Sequence, residues 1–395
     1  MLIIKKDFNF DEFELSLNRA RTEKCIRLPH KFKHIGFWGL EVAVIQLLVT
    51  WARSHESPEI KTYINDVDSE SSRTDQLDYL GRRLFSIAGL YLTRKVLSAQ
   101  GTEILKAEYA AHCSTVLKDM YHCDIYSPES VNKTYPKSRD KIAAQFICLH
   151  GSKHEFQAAL YNGPSRKETI GRKEFGALIR SALAKNKNFA EYLDRDTTLL
   201  NGMANLMFEL FQNTNDHAYD QLDGTSFVKN VRAILFKSHS DSLEHKDLSE
   251  MKSETNARFN DYLEHCTKLF AARPSKMHQF LELSIVDGGL GLAQKFTGKS
   301  LDELTDQEER RITAECFRDG VSSKGSQSRG EGLDEVWKAL CELDGFIRIR
   351  TGRLCLYQTF HDKEPSDTRA FSNWSNSKLE HAEGTAVTII IPCFF

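Results

Sequence analysis

Residues 197–219 read TTLLNGMANLMFELFQNTNDHAY, and they have a clear helical pattern in the second half of the chain. Apolar side chains recur there at the spacing of an amphipathic helix, at positions 199, 203, 206, 207, 210 and 211. On the other face, Asn205, Glu209, Asn213 and His217 follow one another at intervals of four. Successive members lie about 40° apart around the helix axis. The pattern predicts a helix that buries one face and carries one polar ridge.

Strand-like segments surround this helix. Residues 226–236 (SFVKNVRAILF) predict a strand, and residues 280–293 (FLELSIVDGGLGLA) predict a buried strand that runs into a glycine turn. Ser300 with Glu303, and Thr305 with Glu308, predict two capping boxes. Residues 333–343 (LDEVWKALCEL) predict a further amphipathic helix, and FIRIR, LCLYQTF and TAVTIIIP predict closing strands. This order predicts an α+β sandwich, a sheet with helices on one face.

The first half is predicted to be an α/β module. Residues 40–52 (LEVAVIQLLVTWA) predict a helix, a polar break and the short strand IKTYI follow, and a second helical stretch is predicted from about 77 to 117. Residues 126–140 (YSPESVNKTYPKSRD) predict a linker because they combine two prolines with turn formers. AAQFICLH and FQAALY behind it are strand-like. We therefore expect a module at 1–125, a linker and strand-containing connector at 126–175, and a C-terminal domain at 176–395.

Composition narrows the class of protein. The 395 residues are 41% hydrophobic and 27% charged, with 8 prolines, which is typical of a folded chain of two or three domains. A net charge of -2 neither implies nor excludes a nucleic-acid partner. The apolar run 40–52 is too short to span a membrane, which needs about 20 residues.

The N-terminus and the cysteines bear on the compartment. The first residues, MLIIKKDFNFDEF, do not resemble a secretory signal, so we expect a cytoplasmic protein. The nine cysteines form no CxxC pair, and we expect reduced thiols rather than a disulfide framework. His112-Cys113 and His122-Cys123 match no standard zinc-ligand spacing, so no zinc site is predicted.

Four short motifs follow one another in the second half. They are Glu209-Leu-Phe-Gln-Asn213, Asp287-Gly-Gly-Leu-Gly291, Gly330-Glu-Gly332-Leu333 and Gly384-Thr385. Together they resemble the N, G1, G2 and GT boxes of the GHKL ATPase superfamily, which includes DNA gyrase, heat-shock chaperones, histidine kinases and MutL. The resemblance covers about residues 180–392. It implies a Bergerat-type ATP-binding fold with a mixed, mostly antiparallel sheet and a charged insertion at about 238–276.

The resemblance implies roles for three side chains. Asn213 would supply an amide oxygen to Mg²⁺, which prefers oxygen ligands and bridges substrate phosphates. Glu209, one turn earlier, would orient or deprotonate the water that attacks the terminal phosphoryl group. Asp287, at the end of a strand, would accept a hydrogen bond from the adenine amino group.

The remaining motif residues would complete the ATP site. Gly289 and Gly291 would allow positive φ and close approach of the backbone to the nucleotide. Gly330 and Gly332, at a helix start, would leave amide donors free for phosphate oxygens. Thr385 would form a hydrogen bond near the adenine.

The glycine- and serine-rich segment between the second and third motifs resembles the ATP lid of the family. Lys324 and Arg329 lie in this segment, so either could reach a phosphate when the lid closes. The charged insertion makes the spacing from Asn213 to Asp287 longer than is usual in kinases of the family, and we expect it to form surface helix.

Some features limit the resemblance. His217-Ala218 resembles the end of the histidine-kinase N box, yet no upstream phosphoacceptor histidine motif is present, which argues against a sensor histidine kinase. In the first half, residues 27–64 resemble a STAS-type domain, although no diagnostic serine motif stands out.

These observations predict an intracellular ATP-binding protein that uses Mg²⁺ and is a slow ATPase. Its nucleotide state and lid closure would control association with a protein partner or a second copy of the chain. Two alternatives share the same motifs: a protein serine kinase of the anti-sigma type, and a nucleotide-sensing scaffold without turnover.

Overall fold

A computed structural model of the chain describes residues 1–30, 32, 38–122, 140–163, 168–183, 193, 197–239, 257–272, 278–317, 332–361 and 370–394. Its helices are α1 (Phe10–Thr22), α2 (Leu40–Arg53), α3 (Glu70–Gly81), α4 (Leu84–Leu92), α5 (Lys106–His122), α6 (Arg172–Leu183), α7 (Thr197–His217), α8 (Ala257–Ala272), α9 (Leu292–Thr297), α10 (Asp306–Glu315) and α11 (Gly332–Glu342). Its strands are β1 (Leu2–Ile3), β2 (Cys25–Arg27), β3 (Glu59–Lys61), β4 (Lys95–Leu97), β5 (Asp140–Leu149), β6 (Val231–His239), β7 (His278–Asp287), β8 (Phe346–Gly352), β9 (Leu354–Thr359), β10 (Ser372–Asn373) and β11 (Ala382–Phe394).

The first four strands form a small parallel sheet in the order β1-β2-β3-β4. Helices connect its successive strands, as parallel pairing requires. The predicted helical stretch at 77–117 was wrong as a single unit, because β4 and its flanking turns interrupt it. A strand of three residues is too short to show a period of its own.

The other strands form a sheet of seven, in the order β10-β9-β8-β11-β7-β6-β5. Every neighbouring pair among these described strands is antiparallel, so the α+β class is confirmed, whereas the expectation of a partly parallel sheet is not met. The long strand β11 lies inside the sheet and pairs with β7 from Thr385↔Asp287 to Phe394↔His278. This register brings the second and fourth motifs together at one end of the sheet.

Helices pack on both faces of the large sheet, whereas we expected helices on one face. Glu282 in β7 accepts a hydrogen bond from the backbone of Gly39 at the start of α2 (2.9 Å). Arg232 in β6 donates instead to Asn215 of α7 (3.1 Å), and its register partner Asp287 shares its face. Glu282 and Asp287 are five residues apart in one strand, so they point to opposite faces. Helix α2 therefore covers the face opposite α7.

The hydrophobic core is continuous across the two halves of the chain. One cluster runs from Leu2 in β1 to Cys393 in β11 and contains most of α2. Helix α2 is buried along nearly its whole length because α1 and α4 pack on its outer side and the large sheet packs on its inner side. The domain boundaries at 125 and 175 stay a prediction.

The charged insertion contains a helix, α8, as predicted, but this helix is not merely a surface element. Phe259, Tyr262 and Cys266 are buried and pack with Trp38 and Phe280. Residues 240–256 and 273–276 of the insertion lie outside the described residues.

Local sequence signals were confirmed at both capping boxes. The backbone N–H of Ser300 donates to Glu303 (2.8 Å), and that of Thr305 donates to Glu308 (2.8 Å). FQAALY is not a strand: it forms turns and a single bridge at Tyr161. The predicted linker lies almost entirely outside the described residues. None of the described helices combines the length and the apolar character that crossing a bilayer requires.

Candidate functional site

Four strands of the large sheet align polar side chains in one row. Asp287 at the end of β7 pairs with Arg232 of β6 on one side and with Thr385 of β11 on the other. Thr385 in turn pairs with Thr351 of β8, and their hydroxyl oxygens are 3.2 Å apart. Direct cross-strand partners point to the same face. The register therefore brings the second and fourth motifs, 98 residues apart in the sequence, into contact.

The glycine turn after Asp287 is packed tightly around this row. The N–H of Gly289 donates to Asp287 Oδ1 (2.7 Å). Gly384 has φ +71°, and a Cβ there would lie 1.9 Å from the carbonyl oxygen of Asp287, so only glycine fits. Gly291 has φ +91° and is the N-cap residue of α9, whereas Gly289 does not adopt the positive φ we expected. The turn is thus shaped by close approach at Gly289 and Gly384.

Helix α7 ends against the glycine turn. A Cβ on Gly289 would lie 3.2 Å from the carbonyl oxygen of His217, the last residue of the helix. One turn earlier, Asn213 is half-buried, and its Nδ2 atom is buried without a hydrogen-bond partner in the described part of the chain. Such an orphaned amide is costly unless a ligand or water satisfies it.

Glu209 is buried one further turn along α7 and is bound by a cation. Arg172, the first residue of α6, donates a short hydrogen bond to Glu209 Oε1. The Glu209 side chain is 9% exposed and that of Arg172 is 47% exposed. No sequence signal points to Arg172, because the two residues are 37 positions apart and no local pattern connects them. The carboxylate predicted to handle water is therefore held by an arginine.

The Asp287 carboxylate has an unusual environment. Burial raises the pKa of Asp287 from 3.8 to about 6, and the hydrogen bond from Gly289 and the charges of Arg53 and Arg232 only partly oppose the rise. Oδ2 accepts no hydrogen bond within the described residues. At neutral pH this carboxylate is ionised and offers one acceptor to a ligand.

Arg53, the last residue of α2, binds the glycine turn from the other side, and no pattern in the sequence indicates this contact. Its guanidinium donates to the carbonyl oxygens of Gly288 and of Gly289, the latter at 3.0 Å, and forms an ion pair with Glu383 (2.9 Å). It also lies 3.6 Å above the ring of Phe227. A helix of the first half thus fixes the turn that carries the second motif.

Arg53→Met is expected to lower the free energy of unfolding by about 2 kcal/mol, because it leaves two carbonyls and the largely buried Glu383 without their donor. Urea unfolding measures the change. Arg19→Met is the matched control. Arg19 is 56% exposed and forms a long ion pair of 3.8 Å with Glu23, so its loss is expected to lower the free energy of unfolding by under about 0.5 kcal/mol. Equal unfolding midpoints for the two variants would show that Arg53 does not stabilise the glycine turn.

A buried polar network lies beside the row and was also missed. Arg232 is 3% exposed and donates to Tyr161 Oη (2.7 Å) and to Asn215 Oδ1 (3.1 Å). Its Nη2 atom is buried and has no hydrogen-bond partner in the described ranges. Arg232 reads as an ordinary cation within the strand segment, and only the strand register reveals that it neighbours Asp287.

The third motif is only partly within the described residues. Lys324, Arg329 and Gly330 lie outside them, so their predicted roles stay predictions. Gly332 is the first residue of α11, which places it at a helix start as expected. Helix α11 packs beside α7, where Leu343 fits against Gly202.

Comparisons with protein-family models, with curated proteins and with solved structures found no match to this chain. The case for a function therefore depends on the residues that the fold brings together. These residues are Asp287, Gly289, Gly291, Gly384 and Thr385, and the end of α7, one turn beyond Asn213, lies against Gly289.

Proposed function

We propose that this chain binds ATP and Mg²⁺ between α7 and the large sheet, in a Bergerat-type fold of the GHKL class, and hydrolyses ATP slowly. Its nucleotide state would control association with a protein partner or a second copy. The observation that carries the proposal is the pairing of Asp287 with Thr385 beneath the end of α7. A shared binding site requires the two motifs to lie together, and the strand pairing meets this requirement.

Recognition of the base would fall to the row. Asp287 Oδ2 is an acceptor without a protein donor among the described residues, and the adenine amino group is a donor. Thr385 Oγ1 lies on the same face, one strand away. The tight turn at Gly289 and Gly291 lets the ligand approach the backbone closely.

Asn213 fits a magnesium role. Its amide carries a buried atom without a partner in the described chain, and a 180° flip of the amide places the oxygen where the nitrogen lies. When bound, Mg²⁺ would supply charge neutralisation at the phosphates. A single amide is a sufficient protein contribution, because this ion usually keeps several waters.

Glu209 is the residue that would accept a proton from water. Glu209 precedes Asn213 by one turn of α7 and is buried. Its hydrogen bond to Arg172 would orient the carboxylate. In this arrangement Arg172 is a positioning residue.

The same ion pair favours a second candidate, a protein that binds ATP without turning it over. A carboxylate engaged by an arginine is a weaker base, because removing the proton from water would have to compete with that pairing. A nucleotide-sensing scaffold would use the row and the glycine turn alone.

Purified protein incubated with γ-labelled ATP and Mg²⁺ distinguishes the candidates. Release of free labelled phosphate supports the slow ATPase. Label on a protein would indicate the anti-sigma-type serine kinase, and bound, unchanged ATP would indicate the scaffold. Failure of ATP to bind would overturn all three.

ATP affinity is expected to fall as the pH drops through about 6. Burial raises the pKa of Asp287 to that value, so at lower pH the carboxyl is protonated. Its O–H donor would then face the amino group of adenine, which is also a donor. In the ATP-free protein, the stability of the fold changes in the opposite direction with pH. Because the pKa of this carboxyl is raised in the folded state, its protonation favours the folded state. Calorimetric titrations across about pH 5 to pH 8 measure the affinity.

Asp287→Asn is the control for this pH dependence. Any change of ATP affinity with pH that remains in this variant comes from titration of the nucleotide or of other groups. The difference between wild type and variant is expected to have its midpoint near the pKa of Asp287. Identical profiles would show that Asp287 does not face the ligand.

A further inference from the structure

A cavity of about 320 Å³ lies on the face of the large sheet opposite Asp287. Its walls are Phe10 and Phe13 of α1, the start of α2, and the strand residues Arg348 and Thr388. Arg348 and Thr388 are register partners, and Thr388 also pairs with Ser284 on the face that α2 covers. The cavity is therefore separate from the proposed ATP site.

Arg348 is a buried cation with unused donors. It is 7% exposed, and its guanidinium lies 3.5 Å from the ring centre of Phe10 and 5.2 Å from that of Trp374. Within the described residues it donates one hydrogen bond, from Nη2 to the carbonyl oxygen of Trp38 (2.9 Å). No carboxylate of the described chain forms an ion pair with it. A guanidinium has five donors, so most of its capacity is available to a ligand in the cavity.

Arg350, two residues further along β8, shows the contrast. Glu14 binds it through both carboxylate oxygens (2.8 and 2.9 Å), and carbonyl oxygens of the chain accept its other donors. Both arginines line the cavity. Among the described residues only Arg350 has a carboxylate partner, whereas Arg348 has none. Burying an unpaired cation is costly, which indicates that an anion completes the site.

The surroundings favour an anion with a single charge. Burial lowers the pKa of Arg348 to about 10, so it remains a cation at neutral pH. Glu14 and Glu282 act on it from a distance, and each is already bound, Glu14 by Arg350 and Glu282 by His239 and Ser284. These two carboxylates, together with that of Asp11 in the cavity wall, offset part of the positive potential and would repel a dianion such as phosphate.

The size and lining of the cavity define the rest of the ligand. Its volume is about twice the ~150 Å³ of an engineered apolar cavity that holds benzene. Phe10, Trp374, Val42 and Leu379 supply apolar and aromatic wall. We propose that this cavity binds a small monocarboxylate with an apolar or aromatic body, its carboxylate on Arg348 and its body against Phe10 and Trp374.

The probe is 3-phenylpropionate, titrated into the full-length, nucleotide-free protein and followed by ligand-observed NMR. Saturable binding at about millimolar concentration or tighter is expected. The matched amide, 3-phenylpropionamide, is expected to bind about tenfold more weakly, because it loses the charge-assisted hydrogen bonds. Equal binding of acid and amide would overturn the proposal, as would displacement of the acid by equimolar inorganic phosphate.

Arg348→Gln is expected to weaken binding of the acid about tenfold or more and to leave binding of the amide nearly unchanged. Arg348→Lys keeps the charge but not the planar fork, so it is expected to recover part of the loss. Unchanged binding of the acid to folded Arg348→Gln would refute the site. The acid and amide comparison on the wild-type protein decides the proposal even if the variant does not fold.

Discussion

Glu209→Gln is expected to lower ATP hydrolysis about 100- to 10,000-fold while leaving the ATP-induced rise in melting temperature in place. The variant keeps the size of the side chain and removes only its capacity to accept a proton. Arg172 is about half exposed, so water replaces the lost ion pair at little cost to stability. Phosphate release at saturating ATP measures the rate, and thermal unfolding with and without ATP measures binding.

Arg172 provides the companion variants. Arg172→Met is expected to lower the turnover number about tenfold with little change in the Michaelis constant, because it disorders the carboxylate without touching the nucleotide. Arg172→Lys is expected to restore part of the rate. Hydrolysis by Glu209→Gln at the wild-type rate would remove Glu209 from the chemistry and favour another water-activating group.

Long elements of the chain could be predicted from sequence because they repeat one signal over many residues. The amphipathic period of α7, the run of β-branched residues in β11 and the two capping boxes all correspond to observed elements. Asp287 and Thr385 meet because β7 and β11 pair in a single register. The roles predicted for these residues stay predictions.

The missed features depend on contacts between distant parts of the chain. Gln46 of α2 donates to the carbonyl oxygen of Arg350, 304 residues later, and no local pattern reveals that α2 covers the second face of the sheet. Arg53 at the glycine turn and Arg172 at Glu209 are hidden for the same reason. A lone cation in a helix is usually solvated, and only tertiary packing shows which ones are not.

Asp287→Asn is expected to remove most of the ATP-induced rise in melting temperature. The asparagine carbonyl can still accept the hydrogen bond from Gly289, but its NH₂ group would face the adenine amino donor. A buried mismatch of this kind costs about 1–3 kcal/mol, or roughly 5- to 150-fold in affinity. Asp220→Asn is the matched control, because Asp220 lies outside the row, 3.8 Å from Lys295, and this variant is expected to keep the full ATP effect.

The same substitution is expected to leave the ATP-free protein at least as stable as the wild type. Burial raises the pKa of Asp287 to about 6, so at neutral pH the ionised carboxylate is less favourable in the folded state than in the unfolded state. Removing that charge relieves the penalty. Opposite movements of the two readouts would separate a lost ligand contact from a damaged fold, since a misfolded variant would lose both. An unchanged ATP effect in Asp287→Asn would exclude Asp287 from recognition of the base, whatever its effect on stability.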